Sequence, residues 1–214
     1  LWTGVDYLGE AGRWPVRSNR AGLIDLAGFP KPEYYFRQSL WTEKPMIYAG
    51  ATPVPKQEDR GIWSHRRSTP TWNWKAGDKL RVNCFTNCTE AELFLNGKSL
   101  GRKTKTAGKD FRLEWNDVKY TPGELKAVCY KNGKPWATDV VRTTGEMKKL
   151  ALTADRSVIK AGEDDLCFIT VKVTDKNGLI VPRSHPAIHF SIEGAGEIVA
   201  TDNGDATSFI PFRS

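Results

Sequence analysis

Two Asn-Gly steps constrain this chain more than any other feature. Asn96-Gly97 follows an alternation of Ala91, Leu93 and Leu95 and leads into a return segment beginning at Lys98. Asn132-Gly133 follows Leu125, Ala127 and Cys129 and leads into a return over 136–142. Asn-Gly accepts the positive φ angles of a type I′ turn, whose twist matches that of two antiparallel strands. Two hairpins are therefore expected, each with one apolar face. Leu80, Val82 and Cys84 repeat the same period, as do Phe111, Leu113 and Trp115, and Pro122-Gly123 supplies another turn. Short strands punctuated in this way predict a β-sandwich over 72–145.

The flanks differ from this middle. In 146–214, Leu150 and Leu152 open a strand, Cys167, Ile169, Val171 and Val173 share a face, 175–178 is a turn, and Ile188, Phe190 and Ile192 form a further strand. This predicts a second sandwich. It is incomplete, because a whole immunoglobulin-type domain needs about 100 residues. Residues 1–50 read as a strand, a loop over 9–19 and a helix over 30–41, with Pro32 in its first turn, Glu33 at its positive end and Tyr35 or Phe36, Ser39 and Leu40 as an apolar stripe. One strand and one helix cannot bury a core alone. Residues 51–71 hold Pro53, Pro55, Pro70 and a charged run at 56–60, and read as a linker. The fold class expected is mainly β.

Charge and special residues exclude several functions. The formal charge of +7 is carried by 51–146, where 18 Lys/Arg face 11 Asp/Glu. Much of that excess lies in Lys98, Arg102, Lys103, Lys105 and Lys109. These read as a solvated strand edge that resists edge-to-edge pairing. No helix-turn-helix, zinc-finger or RNA-binding signature accompanies them, so no nucleic-acid partner is expected. No apolar run is long enough for a membrane helix. His185 and His189 are four apart but lie beside Pro186 in an expected strand, so no metal site follows. Cys84, Cys129 and Cys167 sit at apolar strand phases and read as buried thiols, with a disulfide among the four cysteines as the alternative. Cys84 and Cys88 are too far apart along a strand to pair locally. Asn87-Cys88-Thr89 is formally a glycosylation sequon. The chain begins at Leu1 without a recognisable signal peptide, and both ends read as cuts in something longer.

The opening residues carry the functional signal. An aromatic at the end of a strand, followed by carboxylates in a loop, matches the catalytic face of a (β/α)8 barrel. Trp2 could stack on the apolar face of a sugar there, or pack in a core. Trp14 could sit at the rim of such a site, or pack against its own loop. Trp72 and Trp74 could stack sugars in a binding module, or fill the contact between the N-terminal part and the sandwich.

The block WTGVDYLGE at 2–10, followed by GLIDLAGFPK at 22–31 and YYFRQSLW at 34–41, resembles the glycoside hydrolase family 2 β-galactosidases. These blocks resemble the last strand and helix of that family's TIM barrel. AELFLNGKSLG at 91–101, with Trp72-Asn73-Trp74, resembles the immunoglobulin-like domain that follows in Bacteroidetes-type members. LALTAD at 150–155 and TDNGDATS at 201–208 resemble the next C-terminal sandwich. The resemblance implies retaining hydrolysis of terminal β-galactosides, using two glutamates upstream of Leu1. No catalytic residue is then expected in this chain, and no cofactor or metal. Trp2, Asp6 and Glu10 become substrate-binding candidates, with Trp14, Trp72 and Trp74 as further stacking candidates. Asp6 could instead fix its loop. The implied partners are a β-galactoside and the N-terminal part of the same enzyme, in a periplasmic or extracellular setting. β-Glucuronidase is the alternative within enzymes, and a non-catalytic glycan-binding or adhesion module of tandem immunoglobulin-like domains is the alternative outside them.

Overall fold

The computed structural model describes residues 3–10, 12–54, 68–162 and 165–213. At its centre is a two-sheet sandwich. One sheet has the order β3-β4-β7, from Ile47–Pro53, Lys79–Thr86 and Leu113–Lys119. The other has the order β6-β5-β8-β9, from Lys98–Thr104, Glu90–Leu95, Glu124–Lys131 and Lys134–Arg142. Every pairing within the two sheets is antiparallel.

The expected alternations supply the core. Leu80, Val82 and Cys84 of β4 and Leu113 and Trp115 of β7 cluster with Ala91 and Leu93 of β5 and with Leu125, Ala127 and Cys129 of β8. Both Asn-Gly turns carry the positive φ that the sequence called for, at Asn96 and Gly97 and at Asn132 and Gly133. Asn96 also bonds outside its own hairpin. Its Nδ2 donates to Pro122 O at 3.0 Å and its Oδ1 accepts from Glu124 N at 2.7 Å. This clamps the Pro122-Gly123 turn against the hairpin tip. The basic strand β6 is an exposed edge of its sheet.

One boundary moves. The linker was expected to begin at residue 51, yet β3 runs across that point as the edge strand of the three-stranded sheet. Ile47, Ala49 and Ala51 face the core. Their small side chains alternate too weakly to announce a strand, and the nearby prolines suggest a break. A Cβ on Gly50 would lie 2.5 Å from Ser68 O, so glycine is what lets the chain at 68–69 cross this strand. Ala51 and Thr69 bridge there, with backbone bonds of 2.9 and 3.1 Å. Residues 55–67, and with them most of the expected linker, lie outside the described residues.

Helix α1, Pro32–Trp41, opens with Pro32 and Glu33 in its first turn, as expected. It covers the outer face of the three-stranded sheet through aromatic rings. Tyr35 stacks on Tyr48 at 4.5 Å, Tyr48 stacks on Phe85 at 5.6 Å, and Phe36 meets Phe85 edge-on at 5.4 Å. Ser39 is buried, but Leu40 faces solvent, because the covered stripe ends with the rings. Before the helix, β1 (Tyr7–Leu8) and β2 (Ser18–Asn19) form a short ladder, and Val5 bridges Ile24 in parallel. No closed barrel is present among the described residues.

The last part is less regular than expected. β10 (Lys149–Ala154) pairs with β11 (Ile169–Thr174). The expected strand at Ile188, Phe190 and Ile192 joins no ladder, and Phe190 and Ile192 are exposed. Cys167 precedes β11 and is only half-buried, since no second sheet covers that face among the described residues. Asp175 organises the turn after β11. Its carboxylate accepts from Asn177 N, Leu179 N and Gly145 N at 2.8–3.0 Å, tying the turn to the connection from β9.

Candidate functional site

Residues 3–9 and 17–24 are held side by side. Leu23 N and Ile24 N both donate to Gly4 O, and Asp6 N donates to Ile24 O at 2.8 Å. Asp6 is the buried fastener of this pairing. Its Oδ1 accepts from Gly22 N and from Lys31 Nζ, each at 2.8 Å. Lys31 reaches on to Arg20 O at 2.9 Å. A Cβ on Gly22 would fall 2.3 Å from Asp6 N, so only glycine allows the close approach. Of the two roles open to Asp6, this geometry provides the loop-fixing one. One carboxylate locks 3–6, 20–24 and the start of the helix segment together.

Glu10 sits at the exposed end of this pairing with φ of +43°, and the Tyr7 hydroxyl donates to its carboxylate. Trp2 lies outside the described residues. Trp14 is 78% exposed, and its ring lies 5.0 Å from that of Phe209. Arg17 stands 4.7 Å from the Phe212 ring, and its backbone N–H donates to Ala206 O at 2.9 Å. The 201–212 segment of the last part therefore folds back onto the N-terminal loop. A Cβ on Gly204 would come within 2.5 Å of Asp25 Oδ2, which shows how closely the two segments approach. Burial raises the Asp25 carboxyl above its ordinary value, with the charges of Asp6 and Asp202 adding to the effect. Phe209 and Phe212 were not read as site residues. Their only sequence signal is a short apolar run nearly 200 positions from Trp14.

The remaining tryptophans behave differently. Trp72 is fully buried, donates Nε1–H to Thr121 O at 2.9 Å and meets Tyr120 edge-on at 5.5 Å. It fills the interior of the sandwich and cannot stack a sugar. Trp74 is half-buried, and Arg183 covers its ring at 4.6 Å. The two rings do not make an open platform. Among the described residues no group of His, Cys, Asp and Glu is arranged to hold a metal. Asn87 of the sequon uses its side chain on Thr42 O and Lys44 O at 2.8 Å, tying the end of α1 to the turn after β4.

Known proteins match the whole of this arrangement. Residues 150–214 match the glycoside hydrolase family 2 C-terminal domain 5, and residues 77–137 match a domain of unknown function, DUF4982. Beta-galactosidase BoGH2A of Bacteroides ovatus is 37% identical over 100% of this chain. The chain belongs to glycoside hydrolase family 2. A beta-glucuronidase of Formosa agariphila is 25% identical over 86% of the family 2 chain. A beta-glycosidase from Bacteroides vulgatus superimposes over 99% of it, with a TM-score of 0.84 at 34% identity. A family 2 member from Bacteroides cellulosilyticus covers 84% of it, with a TM-score of 0.75 at 35% identity. The chain spans 23% of BoGH2A, 17% of the Formosa protein, 25% of the B. vulgatus structure and 26% of the B. cellulosilyticus one. DUF4982 falls within the sandwich, and the C-terminal domain begins at β10.

Proposed function

We propose that this chain is the C-terminal portion of a retaining glycosidase that hydrolyses terminal β-galactosides, and that its N-terminal loop forms one edge of the sugar site. The observation that carries the reading is the alignment of the whole chain, loop included, with a protein named beta-galactosidase. Retaining hydrolysis needs two carboxylates about 5–5.5 Å apart, one as nucleophile and one as acid/base. Asp6 and Glu10 do not suit those roles. Asp6 Oδ1 is held by Gly22 and Lys31, and Glu10 is held by Tyr7. Both catalytic glutamates then come from the part of the enzyme outside this chain, through which the segment 1–50 completes a TIM barrel.

In this reading the chain's residues bind and position. Trp2 supplies the aromatic platform under the galactose ring. Glu10, at the open end of the loop, accepts from sugar hydroxyls, and Asp6 holds the loop that carries it. Trp14, with Phe209 behind it, borders the entrance where the leaving group departs. The sandwich holds the helix that follows this loop through the Tyr35–Tyr48–Phe85 stack. The working compartment is periplasmic or extracellular. The adhesion-module reading needs open tryptophans, and it loses support because Trp72 is buried and Trp74 is covered.

The test uses the product of the whole gene. Nitrophenyl β-galactoside should be cleaved with retention, and Trp14→Ala should raise KM while the sandwich stays folded. Cleavage of the β-glucuronide alone would move the substrate to the sugar acid. Absence of any glycosidase activity would reject the reading.

A further inference from the structure

We propose that Cys88 and Cys129 are joined by a disulfide bond in the mature protein. Cys88 lies in the turn by which the chain leaves β4 of one sheet and enters β5 of the other, and Cys129 lies on β8, a central strand of that second sheet. Their Sγ atoms are 2.6 Å apart. Unbonded heavy atoms come to rest at about 3.5–4.0 Å, so the backbone holds these two sulfurs closer than two thiols would settle. Both residues are buried, and nothing lies between the sulfurs. Of the other two cysteines, Cys84 shares the core with this pair and lies near Cys129, while Cys167 stands apart. Cys84 points into the core from β4, and Cys167 directs its thiol to Arg156 O at 3.3 Å in the last part of the chain.

The bond would close a loop of 41 residues that contains β5, β6, β7 and most of β8. It would fasten the crossover between the sheets to the strand at the middle of the larger one. Formation removes two electrons and two protons from the two thiols. A small-molecule or protein disulfide accepts them and leaves as two thiols, by exchange through a mixed disulfide.

The surroundings decide when this happens. Burial pushes the Cys88 thiol up to about 12, aided by its contact with Cys129 and opposed by Thr86 and the Lys105 ammonium. Lys105 is held beside the pair by its bond to Thr86 O at 2.7 Å. Both cysteines are buried, so a dissolved disulfide cannot reach either sulfur in a chain already folded, and exchange there is very slow. The bond then forms while β8 is docking, and a reducing environment during folding leaves it unmade.

The 214-residue chain provides the test. It is refolded from denaturant with a reduced and oxidised glutathione pair, checked for its native near-ultraviolet tryptophan signal, then denatured and alkylated without reductant. Two alkyl groups are expected, on Cys84 and Cys167, with a non-reduced peptide joining Cys88 to Cys129. A Cys84→Ala/Cys167→Ala chain treated in the same way should take up none. Reductant during refolding should lower the melting midpoint by roughly 5–10 °C. Four alkyl groups on the native, glutathione-refolded chain, or a link through Cys84 or Cys167, would overturn the proposal.

Discussion

Replacing Gly22 with alanine should unfasten the N-terminal loop while leaving the sandwich intact. The added Cβ would meet Asp6 N at 2.3 Å, Val5 C at 2.4 Å and Asp6 Oδ1 at 2.6 Å. Two of these are backbone atoms, which no rotamer change can move aside, so the paired stretches must separate by about 1 Å. Separation breaks the bond from Gly22 N to the Asp6 carboxylate and weakens those from Asp6 N to Ile24 O and from Leu23 N to Gly4 O. A hydrogen bond to a charged group contributes about 1.5–3 kcal/mol and a neutral one about 1, so a local loss of about 2–3 kcal/mol follows. That is roughly a 30- to 140-fold fall in amide protection for residues 22–25, at about 1.4 kcal/mol per tenfold. Hydrogen exchange read by mass spectrometry reports it peptide by peptide, with β8 as the unchanged reference. Asp6→Ala removes the same carboxylate bond, so the double variant should lose less than the two singles together. Unchanged protection in Gly22→Ala, or an equal fall in β8, would refute the reasoning.

Three further outcomes are expected. Trp72→Ala should destabilise the sandwich by about 3–5 kcal/mol in urea unfolding, since it empties a fully buried site and orphans Thr121 O; Trp74→Ala should lose far less. Hydrogen bonds from Gly145, Leu179 and Asn177 hold the Asp175 carboxyl below its ordinary value, so its folded pKa lies under its unfolded one. Its stabilisation is therefore present above the unfolded value near 3.8 and lost as pH falls through the folded value. Acid titration of Asp175→Asn, followed by exchange in β11, should lack that step. Burial shifts Asp139 the opposite way. Stability should fall as pH rises from its unfolded value through the raised folded one, and Asp139→Asn should flatten that fall in thermal melts.

How far the sequence could be read depended on periodicity. Leu80, Val82 and Cys84, with the two Asn-Gly turns, announced the sandwich because half-buried strands and tight turns leave local marks. Strand β3 left none, since Ala49 and Ala51 are too small to signal a buried face. The strand expected at Ile188, Phe190 and Ile192 shows the reverse: alternation was present, but a strand also needs a partner. At the candidate site, the residues after Trp2 were visible as a block, yet Asp6 could not be assigned until Gly22 and Lys31 were seen beside it. The approach of Phe209 to Trp14 spans almost the whole chain and leaves no local trace. Trp72 and Trp74 stand two positions apart and were equally suggestive, and packing alone distinguished them.

The loop is proposed to border the galactoside site of a retaining family 2 enzyme. The sharpest test incubates the product of the whole gene with a 2-deoxy-2-fluoro-β-galactoside that carries a good leaving group. A covalent adduct of one fluorosugar is expected by intact mass, on a glutamate outside this chain, formed more slowly in Trp14→Ala. An adduct on Asp6 or Glu10, or no adduct in an enzyme that cleaves only β-glucuronides, would contradict it.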